Sequence, residues 1–307
     1  MTKTVMITGG TGFIGSHVIE SLLNNKNEVI LIKRSFSDIW RINNFLEDIR
    51  TYDIDKIPLQ DAFKDEDIDG ILHLATYYTK KHSINDISPL IQSNVEFPSK
   101  LLDLATENNL DFFINTGTFS EYAKNPIPLN ENSKIIPSNL YSATKGSFEN
   151  ILKTYSFHND IKSATLRLFS PYGPRDDEMK IIPYLIINAL KNNSVKLSQG
   201  LQKLDFVYVM DIANAYLKTV ELINNFDEYN TFNIGGGFPY SIRDIVSIIE
   251  ELSGCEIDKR WGSLFEEPSV IYSDINKTKE LLDWSPSFSI HQGLSETIKY
   301  YRDKYDL

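Results

Sequence analysis

Short, almost wholly apolar runs alternate with segments whose apolar positions recur every three or four residues, and this alternation fills the first half of the chain. Thr4-Val5-Met6-Ile7-Thr8 predicts a strand, and Ile14, Val18, Ile19, Leu22 and Leu23 predict an amphipathic helix directly behind it. Residues 29–32, 71–74, 112–114 and 164–168 predict further strands, each close to continuous in apolar side chains, as in a sheet covered on both faces. Helical patterns over 90–105 and 142–155 lie between them. The order predicts an α/β fold with a doubly wound parallel sheet. After Pro171 the chain changes character: Pro and Gly are denser, and short helices over 181–191, 242–252 and 292–301 dominate. Residues 206–209 and 231–234 read as later strands, the first of which could return to the sheet.

Between the first strand and helix stands Gly9-Gly10-Thr11-Gly12-Phe13-Ile14-Gly15. Glycines three apart at a strand-to-helix turn suit a pyrophosphate. Gly9 permits the sharp turn, Gly12 lets the backbone approach the anion, and Gly15 lets the helix sit against the strand, while the helix N-terminus supplies free N–H groups. Thr11, Phe13 and Ile14 fall in the same cradle. A dinucleotide is the expected ligand, and the expected division is a Rossmann domain over 1–170 and 205–236 with a smaller substrate-binding domain over 171–204 and 237–307.

Composition narrows the function classes. With 307 residues, 41% of them hydrophobic, the chain can bury a large core. The formal charge of −11, from 42 acids against 31 bases, would repel a phosphate polymer, so no nucleic-acid partner is expected. No charged leader with an apolar h-region precedes the glycines, and no apolar run approaches the roughly 18 residues of a membrane helix. A cytoplasmic protein without a membrane partner is expected. Cys255 is the single cysteine, expected as a small core residue, and no Cys/His cluster has metal-ligand spacing.

A dinucleotide fold reads the adenosine ribose at the end of the second strand, about 20 residues past the glycines. An NAD enzyme has Asp or Glu there; this chain has Lys33-Arg34-Ser35, two cations and a hydroxyl that suit a 2′-phosphate, unless they are ordinary surface charges. NADP is favoured over NAD. Asp53-Ile54, after a third strand, could meet the adenine or form a surface turn. Farther on, Tyr141 and Lys145 stand four apart in a helical pattern, which puts both on one face and predicts an ammonium that lowers the phenol from its usual pKa of about 10. Thr116 and Thr118 close an apolar strand whose carboxyl end should face the ligand crevice.

These residues together resemble the extended short-chain dehydrogenase/reductase family, in its nucleotide-sugar epimerase, dehydratase and 4-ketoreductase branch. The resemblance runs from Gly9–Gly15 through His73-Leu74-Ala75, Asn94, Thr118, Tyr141 with Lys145, Arg167-Leu168-Phe169, Tyr172-Gly173-Pro174 and Asp205-Phe206-Val207-Tyr208-Val209 to Asn233-Ile234-Gly235 and Asp283-Trp284-Ser285-Pro286. It implies Thr118, Tyr141 and Lys145 as the catalytic triad, with Leu74, Ala75 and Thr76 lining the cofactor. Leu168, Phe169 and Ser170 would border nicotinamide and sugar, and Tyr77, Phe119 and Ser120 would face the substrate. It also implies a homodimer built on the 90–105 and 142–155 helices, with residues such as Leu101 and Ile151 left for a partner. His73 and Trp284 read as core residues.

Departures from the family pattern choose among its reactions. Sugar 4,6-dehydratases follow the catalytic Thr with an Asp-Glu acid and base; here Phe119-Ser120 follow Thr118, which disfavours dehydration. Lys33-Arg34 suits an exchangeable NADPH, which favours reduction, and the stretch 71–78 resembles reductases of CDP-linked 4-keto-3,6-dideoxyhexoses. The alternatives are an NAD-dependent 4-epimerase using the same triad and, from another class, a catalytically silent NADP-binding regulator. Two arginines expected to clamp the substrate diphosphate are replaced by Leu204 and Glu266. Either Lys203, Arg260 or Arg175 takes their place, or the substrate carries less charge than a nucleotide sugar.

Overall fold

The computed structural model describes residues 2–64, 66–79, 81–124, 128–265 and 269–307. It divides into two compact units: Met1–Ala123, Glu131–Leu168 and Ala213–Phe232 form the first, and Lys124–Asn130, Phe169–Ile212 and Asn233–Leu307 the second. In chain order the elements are β1 (Thr4–Thr8), α1 (Phe13–Asn24), β2 (Glu28–Lys33), β3 (Arg50–Asp53), β4 (Gly70–His73), α2 (Ile87–Ile91), α3 (Phe97–Glu107), β5 (Phe112–Thr118), α4 (Leu140–His158) and β6 (Lys162–Leu168). There follow β7 (Ser170–Tyr172), α5 (Ile181–Leu190), β8 (Ser194–Lys196), β9 (Lys203–Tyr208), α6 (Val209–Leu222), β10 (Tyr229–Ile234), β11 (Pro239–Ser241), α7 (Ile242–Ser253), β12 (Asp258–Arg260), β13 (Val270–Ile271), α8 (Asn276–Leu282) and α9 (Ile290–Tyr305).

The predicted sheet is there, seven-stranded in the order β10-β6-β5-β4-β1-β2-β3, with parallel pairing from β3 through to β6. The order reverses beside β1, the point at which a doubly wound sheet opens a crevice at its carboxyl ends. Register sets the residues of that edge: Thr8 lies opposite both Ile32 and His73, Lys33 opposite Asp53, and Thr118 opposite Leu168. Below it, Met6, Ile30, Ile71 and Phe113 pack with Leu101, Leu102, Phe148 and Leu152 in one buried cluster. Each such side chain contributes roughly 1.5–3 kcal/mol by leaving water.

Three expectations are corrected. The helix expected over 90–105 is broken into α2, a π-helical turn at Gln92–Glu96 and α3. Pro98 has no N–H to continue the i→i−4 ladder, and the chain widens so that Phe97 N–H reaches the Gln92 carbonyl instead. Leu101 is fully buried and so is not left for a partner, while Ile151 is half-buried against the same core cluster. Residues 206–209 do not return to the large sheet; β10 takes its outer place beside β6.

In the second unit β9 pairs with β7 and β13 in parallel and β11 antiparallel. Asp205 holds it there. The buried carboxylate accepts the N–H groups of Gly236, Gly237 and Ser273 and the Ser273 hydroxyl. Trp284 is a packing anchor, 2% exposed, its indole N–H donating to the Asp211 carbonyl. Cys255 is half-buried rather than in the core. No helix among the described residues is long and apolar enough to cross a membrane.

Candidate active site

The glycine turn is shaped by contacts that exclude side chains. Gly9 has φ +72°, and a Cβ there would stand 2.5 Å from Ala75 N; a Cβ on Gly15 would stand 2.2 Å from the Gly9 carbonyl oxygen. Gly12 N–H donates to that carbonyl at 3.0 Å, and Gly12 is the N-cap of α1 with no side chain capping it. With no acidic residue in the first turn, the α1 N-terminus presents unoccupied N–H groups flanked by Thr11, Phe13 and Ile14, a cradle that fits a pyrophosphate. Leu74 and Ala75 border it from the end of β4, where Ala75 N–H donates to the Thr8 hydroxyl at 3.3 Å. Thr8 Oγ1 also hydrogen-bonds His73 Nδ1 at 2.8 Å, and the imidazole, held neutral by burial, stands edge-on to the Phe148 ring.

The end of β2 differs from its sequence expectation. Lys33 and Arg34 do not stand clear of carboxylates, because β3 and the turn after it deliver two. Asp53 lies 3.5 Å from Lys33 Nζ and accepts the Ser35 hydroxyl at 2.7 Å, while Asp55 pairs with Arg34 at 2.5 Å and accepts the Ser35 N–H. A 2′-phosphate would have to compete with these anions. Beside them, Arg34, Ile54, Ala75, Thr76, Gln92, Ser93 and Phe97 line a shallow cleft.

Thr118, Tyr141 and Lys145 are all in the first unit, Thr118 ending β5 and the other two in the first turns of α4. Asn139 caps α4, accepting Ser142 N–H at 2.8 Å in a reciprocal capping box, and so fixes where Tyr141 enters the helix. Lys145 is 2% exposed, and burial pushes its ammonium below the ordinary lysine range. The phenol of Tyr141 moves up rather than down: burial outweighs its hydrogen bond with the Thr76 hydroxyl, and the charge of Glu121 raises it further. The expected lowering by Lys145 is not found. Thr116 is also committed, donating to the His73 carbonyl at 2.9 Å and bonding the Tyr216 hydroxyl.

Three residues given no role from sequence shape this site. Asn94, fully buried in the π-helical turn, accepts Thr76 Oγ1–H and Tyr77 N–H and donates to the Tyr77 carbonyl and Thr144 Oγ1, all at 2.9–3.1 Å. The β4 exit is thereby hung on α4. Tyr77 turns its hydroxyl to Asp86 at 2.7 Å, and its neighbour Tyr78, 52% exposed, sets its ring edge-on to Tyr141 at 4.9 Å. Glu121 is buried between β5 and α4. Phe119 and Ser120 follow Thr118 in a 3-10 turn, Ser120 Oγ lying 3.0 Å from Thr118 Oγ1.

Leu168 ends β6 in the first unit. Tyr77, Phe119 and Ser120 lie in the first unit too, while Phe169, Ser170, Arg175, Lys203 and Arg260 belong to the second: Phe169 is buried, Ser170 opens β7, and Arg175 has a left-handed φ of 68°. Lys203 begins β9 and Arg260 ends β12, both exposed. Glu266 lies outside the described residues.

A pyrophosphate cradle at the switch point, with a buried lysine one helical turn from a tyrosine on the same sheet edge, defines a Rossmann-type NAD(P)-dependent enzyme. Residues 5–235 match the NAD dependent epimerase/dehydratase family, and the chain belongs to it. It is 32% identical over 307 residues to CDP-abequose synthase of Salmonella typhimurium, covering 97% of this chain and 98% of the relative. Among solved structures it resembles UDP-glucuronic acid 4-epimerase from Bacillus cereus in complex with UDP-glucuronic acid and NAD (28% identity, TM-score 0.88, 98% of this chain and 100% of the other). It is also similar to UDP-glucose 4-epimerase from Thermotoga maritima with UDP-glucose (25% identity, TM-score 0.89, 98% and 99%).

Proposed function

We propose that this chain is an NADP-dependent reductase of a nucleotide-linked 4-keto-deoxyhexose, carried by CDP or dTDP. The observation that carries the reading is the full-length likeness to CDP-abequose synthase, in a chain that has no carboxylate of its own at the end of β2 and no Asp-Glu pair after Thr118. The bound nicotinamide would supply a hydride for C4 of the sugar. Tyr141 protonates the resulting alkoxide oxygen, Thr118 polarises the carbonyl by donating a hydrogen bond, and Lys145 stabilises the phenolate left on Tyr141 while holding the cofactor ribose. The α1 N-terminus holds the cofactor pyrophosphate. Lys203, Arg260 and Arg175 are the cations offered to the substrate diphosphate, and the enzyme works as a cytoplasmic homodimer.

A second reading, an NAD-dependent 4-epimerase, is favoured by one observation: Asp53 and Asp55 already neutralise Lys33 and Arg34. Incubation of the protein with NADPH and CDP-4-keto-3,6-dideoxyhexose, and separately with CDP- and UDP-hexoses without added cofactor, distinguishes the two. Stoichiometric NADPH consumption supports the reductase; cofactor-neutral interconversion of C4 epimers replaces it with the epimerase. Binding without turnover of any of them would leave the regulator.

A further inference from the structure

Glu121 is a buried carboxylate, 1% exposed, that the proposed chemistry does not use. It sits three residues past Thr118 and is tied to it twice. Glu121 Oε1 accepts the Thr118 N–H at 2.8 Å, and in return the Thr118 hydroxyl accepts the Glu121 N–H, closing a capping box on a 3-10 turn. Thr118 Oγ1 accepts Ser120 N–H as well, at 3.3 Å. A hydroxyl has two lone pairs and one proton, so with both acceptor sites filled by backbone N–H groups Thr118 is left to act as a donor. Here that proton falls to Ser120 Oγ, 3.0 Å away; a carbonyl oxygen of substrate at the same place would take it.

The other oxygen of Glu121 makes no hydrogen bond. It lies 3.5 Å from where a Cβ on Gly146 would stand, beside the backbone that carries Lys145, and a Cβ on Gly117 would come 3.2 Å from Oε1. Side-chain-free positions on α4 and β5 thus make the space for the carboxylate. Charged and titratable groups face it from each element packed around it: Lys145, Glu149 and Tyr141 from α4, Arg167 from β6 at 3.9 Å, and Tyr122 from its own turn, while His73 of β4, held neutral, faces Lys145. Arg167 is engaged twice by Glu149 and once by the Tyr122 hydroxyl. Burial, with the charge of Glu149 behind it, pushes the Glu121 carboxyl up to about 8. A buried, half-satisfied carboxyl group is costly, and its hold on the Thr118 turn gives that cost a use.

We propose that Glu121 is a positioning residue for Thr118: through its capping box it holds the turn whose backbone N–H groups fill both acceptor sites of the Thr118 hydroxyl, and so commits that hydroxyl to donate toward the sugar carbonyl. The inference rests on the triad reading of Thr118, Tyr141 and Lys145. Two variants test it. Glu121→Gln keeps an oxygen for Thr118 N–H, so kcat should stay within about threefold of the native enzyme. Glu121→Leu removes that acceptor, and kcat should fall about tenfold or more, with NADPH affinity little changed. Equal kcat for Glu121→Leu and Glu121→Gln, or a loss confined to NADPH affinity, overturns the proposal. A native protein that interconverts C4 epimers and reduces no keto-sugar would sink the proposed function, while the same comparison of kcat, made on epimerisation, still decides the role of Glu121.

Discussion

At the residue scale the proposed reduction depends on a phenol that gives up its proton only when its surroundings change. Burial holds Tyr141 protonated, the state the proposed reduction asks of its proton donor. Tyr141→Phe should lower kcat by about 100-fold or more and leave cofactor affinity near its native value, because general acid catalysis contributes about 10² to 10⁴. Full activity of that variant on the true substrate would remove Tyr141 from the donor role. The rim of the cofactor site yields a second prediction. Asp53 draws Lys33 away from a 2′-phosphate, so Asp53→Asn should raise NADPH affinity relative to NADH by about three- to tenfold, and the gain should shrink with added salt. Fluorescence titration of both cofactors reads it, and an unchanged ratio would show that Asp53 does not compete with the phosphate.

Among the elements, the region from Ile84 to Glu96 has a face with no cover in the described structure. Ile84, Ile87 and Ile91 follow one another at spacings of three and four, and are 82%, 39% and 46% exposed, with Ser88, Gln92 and Glu96 around them. If the homodimer forms here, light scattering at micromolar concentration gives twice the mass of one chain, and Ile87→Glu returns it to one. A native protein that scatters as a monomer would contradict the proposal.

This face also shows what sequence could and could not convey. Strands β1, β2, β4, β5 and β6 were legible because two-sided burial leaves continuous apolar runs, and the glycine turn because backbone approach needs missing side chains. Leu101 was misread because periodicity reveals that a helix has an apolar face without saying how wide the surface it covers is. The π-helical turn left only Pro98 as a signal. Asp53 was visible, but its meeting with Lys33 depends on the register of β2 with β3, 20 residues apart in sequence. Tyr78 and Glu121 had no role from sequence; theirs comes from what the fold sets against them, although a Thr-x-x-Glu spacing at a strand end is itself a capping-box signal for Glu121.

For the whole molecule, two units divide the work by composition. The first holds the glycine turn, the proposed triad, Tyr77, Phe119, Ser120 and the rim cations with their aspartates; the second holds Ser170, Arg175, Lys203 and Arg260, the remaining side chains proposed for the substrate. A protein of net charge −11 needs such local cations to hold an anionic nucleotide sugar. Under the proposed function hydride passes permanently from cofactor to C4 of a keto-sugar. That transfer is tested most directly by supplying NADPH deuterated on its transferable position together with CDP-4-keto-3,6-dideoxyhexose, and locating the label in the sugar by NMR. One deuterium at C4 for each NADPH oxidised is the predicted result; turnover of CDP- or UDP-hexoses at C4 with no label gained and no NADPH consumed would contradict it.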